Sequence, residues 1–176
     1  MLIVALRAAG AVLLVLAPAA VAAPATAQPA ADVRGIDWHD AEFEVPRVGP
    51  CPQQHVRFSG GAARTDGWVY RFTPERGIDY ADVTGDGTED VLALVDCGPP
   101  RSEYSTALVA LTRSPDGSVV PLGTVVSPGT WRQVPVDFTT WHGDVAVTLT
   151  DQDTGARWNE YHRWVPDLGG FARIDG

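Results

Sequence analysis

The sequence predicts an all-β protein, an antiparallel meander of about eight to ten short strands curled into a barrel, a sandwich or a propeller-like sheet. Apolar residues from Ile36 onward alternate with period 2, and no 11-residue window shows a convincing helical stripe. Candidate strands follow one another at intervals of roughly 8 to 12 residues. The 18 glycines and 14 prolines mark the turns between them.

The candidate strands differ in how they are expected to be covered. Trp68, Tyr70 and Phe72 fall on one face of a period-2 run, which predicts a strand with that face in the core. The nearly continuous apolar run 91–95 is typical of a strand covered on both faces. The remaining candidates are rich in β-branched and aromatic residues. They are 103–112, 119–126, 134–139, 144–150, 157–165 and 171–174.

Residues 1–27 have the layout of a secretory signal peptide. Arg7 supplies the positive charge, an apolar run follows it, and small residues end the run at Ala25-Thr26-Ala27. The run contains Pro18 and is shorter than the ~20 apolar residues of a spanning helix. We therefore expect cleavage after Ala27, with Ala22 as the alternative site and an uncleaved N-terminal anchor as the alternative fate.

The rest of the chain is expected to be a short lead and one domain. Residues 28–35 are rich in alanine and proline and predict a flexible lead. Residues 36–176 predict a single β domain, since a chain of 176 residues has room for one ordinary domain. We expect the mature chain to be secreted or extracellular, monomeric and without a membrane span.

The charge balance excludes one class of partner. The chain has 13 basic and 22 acidic residues, a net charge of −9, and loss of Arg7 makes the mature chain one unit more negative. Binding to duplex nucleic acid depends on clustered cations. Nucleic acid is therefore not expected as a partner.

Cys51 and Cys97 are expected to form a disulfide. They can pair in only one way within the chain, and thiols of exported proteins tend to be oxidised. The alternative, a catalytic or metal-binding thiol, lacks a His or second Cys at ligand spacing. Closing a loop of this length contributes on the order of 4 kcal/mol to stability.

Oxygen-bearing side chains recur at alternate positions in the segment 82–90, and Gly87 allows the sharp turn that would converge them. Three carboxylates suit Ca²⁺ better than Mg²⁺, which keeps its waters. A metal-free acidic turn is the alternative interpretation, because Asp and Gly clusters also form turns without metal. The predicted ligands are the side chains of Asp82, Thr84, Asp86 and Asp90 and the backbone carbonyl of Thr88.

This segment resembles the FG-GAP or VCBS type of repeat, whose core reads D-x-[DN]-G-D-G-x-x-D before an apolar strand. The resemblance covers residues 78–95 and implies a structural Ca²⁺ held between two strands. Thr84 stands where the family prefers Asp or Asn, and Ala93 stands where an EF-hand has its bidentate glutamate. Residues 151–155 are only a degenerate second copy. The likeness is to small secreted bacterial proteins that carry one such loop, a group of otherwise unknown function, and it does not imply a multi-bladed propeller.

Catalytic signatures are not found. The sequence has no Gly-x-Ser-x-Gly elbow, and its four histidines include no pair at the i, i+4 spacing of a zinc helix. We therefore expect a non-catalytic binding or cell-envelope module for an unknown protein or carbohydrate. The alternative is a small extracellular hydrolase that uses carboxylates the sequence does not identify.

The tryptophans divide into core and surface candidates. Trp68, Trp158 and Trp164 lie in strand register with other apolar residues and are expected in the core. Trp131 and Trp141 flank loops, and exposed rings at such positions can face a ligand.

Overall fold

The computed structural model describes residues 32–128 and 130–175. In this part of the chain the only helices are two 3-10 turns, so the all-β prediction is confirmed. The turns span Val33–Gly35 and Pro166–Leu168. The strands are β1 (Glu42–Val45), β2 (Gln54–Arg57), β3 (Ala62–Arg64), β4 (Val69–Phe72), β5 (Asp79–Ala81), β6 (Asp90–Gly98), β7 (Ser105–Arg113), β8 (Val119–Val126), β9 (Gln133–Trp141), β10 (Asp144–Asp151), β11 (Arg157–Val165) and β12 (Gly170–Arg173).

The strands form three antiparallel sheets. β1 and β2 make a hairpin, and β9 to β12 make a four-stranded meander. The six-stranded sheet runs β3-β4-β6-β7-β8, with β5 also paired to β6. Since β7 occupies the other edge of β6, β5 and β4 share one edge, β5 along its first half and β4 along its second. Among the described strands no sheet closes into a barrel, and the arrangement is sandwich-like, one of the three closures that the sequence left open.

β6 is the centre of the molecule. All nine of its residues are buried. Val91 and Val95 point into a core cluster shared with β1 and β2, whereas Leu92 and Leu94 point into a second cluster shared with β9 and β10. This confirms the prediction that the 91–95 run is covered on both faces, because a strand between two cores needs apolar residues at successive positions.

The folded region begins before Ile36. Val33, which the sequence places in the flexible lead, is 1% exposed and belongs to the first core cluster. Its carbonyl accepts a hydrogen bond of 3.2 Å from Nε1 of Trp38. The domain therefore includes the Val33–Gly35 turn. Of the predicted lead 28–35, residues 28–31 lie outside the described residues.

The predicted signal peptide, 1–27, lies outside the described residues. Within the ranges that the structure describes, no helix has the length and apolarity needed to cross a membrane.

Candidate functional site

The segment 82–90 forms the loop of the β5–β6 hairpin. Ala81 and Asp90 are paired directly across the two strands, which places the loop between strands as its sequence predicts. Gly85 and Gly87 have φ values of +79° and +85°. Residues that carry a side chain rarely adopt this left-handed backbone conformation, so the turn needs glycine at both positions.

The carboxylate of Asp82 organises the loop backbone. Its Oδ1 accepts hydrogen bonds from the N–H groups of Gly85 (2.7 Å) and Asp86 (3.2 Å). Its Oδ2 accepts one from the N–H of Gly87 at 2.9 Å. Three converging N–H groups are the usual partners of a carboxylate at the start of a turn. Asp82 thus fixes the shape of the loop through hydrogen bonds to its backbone.

Asp90 lies at the base of the loop and is fully buried, with 0% exposure. Its Oδ2 accepts hydrogen bonds from the N–H groups of Val83 (3.1 Å) and Thr84 (3.2 Å). Its Oδ1 has no hydrogen-bond partner among the described residues. Burial raises the pKa of Asp90, and the nearby Thr112 hydroxyl and the two N–H groups oppose that rise. The Thr112 hydroxyl does not meet the geometry of a hydrogen bond to Oδ1.

The remaining predicted ligands lie on the outer part of the loop. Oδ1 of Asp86 accepts a hydrogen bond from the N–H of Thr88 at 2.8 Å. The Thr84 hydroxyl lies 3.5 Å from Oδ1 of Asp82. Among residues 32–128 and 130–175, no three acidic, His or Cys side chains are gathered closely enough to hold a metal ion. The loop brings the predicted ligands onto one turn but does not assemble them as a coordination shell.

Sequence reasoning did not find the ion pair beside this loop. The guanidinium of Arg34 donates two hydrogen bonds to Glu89, of 2.6 and 2.8 Å, and lies 4.7 Å from the centroid of the Tyr80 ring. These bonds hold the pKa of Glu89 below its usual range. None of the ion pairs of the described residues includes Asp82, Asp86 or Asp90.

The predicted disulfide is present. Cys51 and Cys97 are bonded with an S–S distance of 2.04 Å and a Cα–Cα distance of 6.2 Å, and both are buried. Cys97 lies near the end of β6 and is paired with Tyr70 of β4. The hydroxyl of Tyr70 donates to the carbonyl of Pro52 at 2.7 Å, and burial raises its pKa. The staple therefore fixes the β1–β2 connection to the central strand.

The two predicted surface tryptophans are both exposed, Trp131 by 43% and Trp141 by 75%. Trp141 ends β9 and contacts His142 edge to face at 4.6 Å between ring centroids. The predicted core tryptophans are partly buried. Trp68 and Trp158 pack against the two core clusters, and Trp164 packs on Phe171.

Trp131 stands between two cavities. We call the first, of about 970 Å³, the basic cavity; its walls include Arg47, Ser105, Thr124, Ser127, Trp131 and Arg132. We call the second, of about 330 Å³, the acidic cavity; its walls include Arg71, Asp96, Glu103, Tyr104, Trp131 and Gln152. Of the residues that line these two cavities, the sequence predicted only Trp131 as a ligand-facing residue, because the others come from strands and loops distant in the chain.

Asp96 is a second buried carboxylate that sequence reasoning missed. It is 7% exposed and lies on the same face of β6 as Asp90. Its Oδ2 accepts from Nε of Arg71 at 2.9 Å, and its Oδ1 accepts from the hydroxyl of Thr106 at 2.7 Å. The signal was its register: side chains alternate along a strand, so Asp96 lies on the same face of β6 as Leu92 and Leu94.

Comparison with known proteins gives no match to any protein-family model, curated protein or solved structure. The residues of this chain alone support the interpretation that follows.

Proposed function

We propose that this protein is an exported, disulfide-stabilised β domain without catalytic activity, which binds Ca²⁺ in the 82–90 loop and acts as a binding module for a protein or carbohydrate partner. The ion has a structural role, because every side chain offered to it belongs to one short loop and none is left to activate a substrate. Export is supported by the signal-like N-terminus and agrees with the disulfide.

The observation that carries the calcium proposal is the buried carboxylate of Asp90. A buried polar atom without a partner costs roughly 1–3 kcal/mol, and more when it is charged. Oδ1 of Asp90 is such an atom at the base of an acidic loop. A hard cation with oxygen preference would remove this cost, since carboxylate oxygens are its natural ligands.

The charges around Asp90 favour the same proposal. Asp82 and Asp86 are close along the loop, and no arginine of the described residues neutralises any of the three acids. Asp86 is the most adaptable of them, because it is exposed and its carboxylate accepts one hydrogen bond, from the N–H of Thr88. Asp82, Asp86 and Asp90 would hold the ion, and Asp86 would move toward the other two.

The thermal midpoint of the mature protein tests this proposal. At a calcium concentration 100 times the dissociation constant, the free energy of unfolding should increase by about 2.7 kcal/mol. For a domain of this size that is a rise of several degrees over the midpoint in EDTA. The midpoint is measured by circular dichroism, with native mass spectrometry reporting the bound ion, the disulfide and the cleavage site together.

A pair of variants separates ion binding from turn formation. Asp86→Asn keeps an oxygen for the N–H of Thr88 and removes the charge, so it should leave the EDTA midpoint unchanged and abolish the calcium effect. Asp116→Asn is the matched control, since Asp116 makes similar local hydrogen bonds in the β7–β8 turn. The proposal is contradicted if the thermal midpoint of the unmodified protein is the same in calcium and in EDTA. It is also contradicted if calcium raises the midpoint of Asp86→Asn as much as that of the unmodified protein.

One observation favours the alternative, an extracellular hydrolase. Glu75 and Asp96 line a common cavity of about 300 Å³. Two acids in one cavity are what glycoside hydrolysis requires. However, both oxygens of Asp96 are engaged, by Arg71 and Thr106. Hydrolysis of glycoside substrates that is lost in Glu75→Gln would favour the hydrolase over the binding module.

A further inference from the structure

Trp131 forms a wall of both the basic and the acidic cavity. We propose that the two cavities are adjoining subsites for an acidic oligosaccharide, with a uronate unit in the basic cavity, a neutral unit in the acidic cavity, and the indole of Trp131 against a sugar face. This inference deepens the proposed binding function by naming the ligand class, and it does not depend on calcium. The loop lies at the start of β6, whereas Asp96 of the acidic cavity lies toward its end, where Ser105 of the basic cavity is paired with Cys97.

The basic cavity suits a carboxylate. In a chain with a net charge of −9, none of the described residues that line it is acidic, while two are arginines. Nε of Arg47 donates a hydrogen bond to the carbonyl of Gly49. The Arg47 guanidinium has no ion-pair partner among the described residues. Its two terminal nitrogens are therefore left to form the paired hydrogen bonds that a guanidinium makes with a carboxylate.

Arg132 holds the indole in place. Its guanidinium lies 5.3 Å from the centroid of the Trp131 ring and is itself held by an ion pair of 2.8 Å with Asp153. A cation over an aromatic ring is attracted to it. Trp131 therefore has a guanidinium on its ring whose charge is already paired with Asp153, and the guanidinium left for an anionic ligand in this cavity is that of Arg47.

Hydroxyl groups complete the basic cavity. Oγ of Ser127 accepts a hydrogen bond from the N–H of Gly49 at 2.9 Å, so its own hydrogen can be donated to a ligand. Ser105 adds another hydroxyl to the same wall. Several hydroxyl donors beside an arginine match the hydroxyls and carboxylate of a uronate.

The acidic cavity suits a neutral sugar. Glu103 and Gln152 are exposed and supply acceptor oxygens for sugar hydroxyls. Arg71 is held by Asp96 and lies 4.4 Å from the centroid of the Tyr104 ring, so this side of the cavity is fixed. Glu103 would repel a second carboxylate, which is why the adjoining unit is neutral.

An acidic peptide fits this surface less well. Peptides that add to a sheet need a free, regular strand edge. β8 borders the basic cavity through Thr124, but its pairing with β7 shifts register twice and it contains Pro121. β8 also packs against β1 and β12. Such a strand offers few backbone groups to a peptide.

Isothermal titration calorimetry of the mature protein tests the proposal. The probes are aldotetraouronic acid, in which a uronate is linked to neutral xylotriose, and a hyaluronan tetrasaccharide, in which uronates alternate with neutral amino sugars. Each is compared with its methyl ester. The buffer contains EDTA, so that the result is independent of the calcium loop. At least one acid should bind saturably, and its ester about tenfold more weakly or worse, because charge-assisted hydrogen bonds are lost.

Three variants locate the site. Trp131→Ala should weaken binding of the acid about tenfold or more, and Arg47→Gln should reduce its affinity to that of the ester. Tyr161→Ala is the matched control, because Tyr161 is as exposed as Trp131 (43%) and is not among the residues that line the two cavities, and it should leave affinity within about twofold. Near-UV circular dichroism verifies that each variant is folded.

Three results would overturn the proposal. They are equal affinity for acid and ester, an affinity that Trp131→Ala and Arg47→Gln both leave unchanged, and no binding of either acid at millimolar concentration. Hexaglutamate that binds as tightly and with the same dependence on Trp131 would replace the saccharide by a peptide. If the protein responds to calcium but binds no saccharide, only the saccharide proposal is overturned. If it binds the saccharide but does not respond to calcium, only the calcium proposal is overturned.

Discussion

Asp90 and Asp96 stand on the same face of β6, six residues apart, and both are buried, yet their surroundings differ. Each oxygen of Asp96 has a side-chain donor, Arg71 for one and Thr106 for the other. Asp90 has two backbone donors on one oxygen, while near its carboxylate the Thr112 hydroxyl stays outside hydrogen-bond geometry to the other oxygen. Asp96 is therefore a buried carboxylate with a donor on each oxygen, whereas Asp90 has one oxygen that a proton or the proposed cation would satisfy.

The comparison shows why an acidic residue in an apolar strand need not have one meaning. A buried carboxylate whose two oxygens both have side-chain donors links the strands that supply the donors, here Arg71 of β4 and Thr106 of β7 on either side of β6. A buried carboxylate with an open oxygen instead makes stability depend on what the solution provides. The predictions below test this distinction, in order of decreasing effect.

The largest effect is expected from Asp96→Asn. It should lower the free energy of unfolding by about 1–2 kcal/mol, because a charge-assisted hydrogen bond to Arg71 is lost. The estimate is below that for a fully buried pair, since the Arg71 side chain is 47% exposed and partly screened. Urea denaturation in EDTA measures the change.

Asp90→Asn in the same buffer is the matched comparison. The amide oxygen can still accept from Val83 and Thr84, and no ion pair is lost. We expect a change of less than about 0.5 kcal/mol or a modest stabilisation. Equal losses in the two variants would show that Asp90 and Asp96 have the same role.

The second effect concerns pH. The pKa of Asp90 is raised in the folded protein, so without calcium the folded state binds more protons than the unfolded state between the two pKa values. The contribution of Asp90 is then present at low pH and is lost as pH rises through the folded pKa. In EDTA, the stability of the unmodified protein relative to Asp90→Asn should therefore fall from acidic to neutral pH.

The difference in stability between the unmodified protein and Asp90→Asn cancels the contributions of the other acids. Asp116, whose pKa is lowered to about 2 by hydrogen bonds from Ser114 and Ser118, contributes equally to both. Saturating Ca²⁺ selects the ionised carboxylate and should abolish or reverse the trend. A difference that is flat with pH in EDTA would show that Asp90 is not the open carboxylate.

The sequence predicted the strands that carry a strong local pattern. The candidates at 119–126 and 157–165 coincide with β8 and β11, and the disulfide was correct because only one pairing existed. The strands it missed, β1, β2, β3 and β5, are three or four residues long. Segments that short establish no period by themselves; the equally short β4 and β12 were predicted from the run Trp68, Tyr70 and Phe72 and from the apolar and aromatic residues of 171–174.

The candidate sites were predicted unevenly for a similar reason. The ligands of the loop are consecutive in sequence, so their spacing alone suggested a cation. The partner of Asp96 is Arg71, 25 residues earlier in the chain, and the basic cavity joins Arg47 to Trp131 across several strands. Such neighbours are set by strand pairing and sheet packing, which no local pattern specifies.

The smallest effect is expected from Arg34→Gln, which removes the partner of Glu89 next to the loop. Both groups are exposed, so the midpoint in EDTA should change little and the change should vanish in about 1 M NaCl, where the Debye length is about 3 Å. Glu89 is outside the predicted ligand set, so the calcium response should stay unchanged. A larger calcium response in Arg34→Gln would mean that the released carboxylate of Glu89 joins the ion. The ligands of the ion would then include Glu89 as well as Asp82, Asp86 and Asp90. Binding of Ca²⁺ by the loop would no longer depend mainly on Asp90.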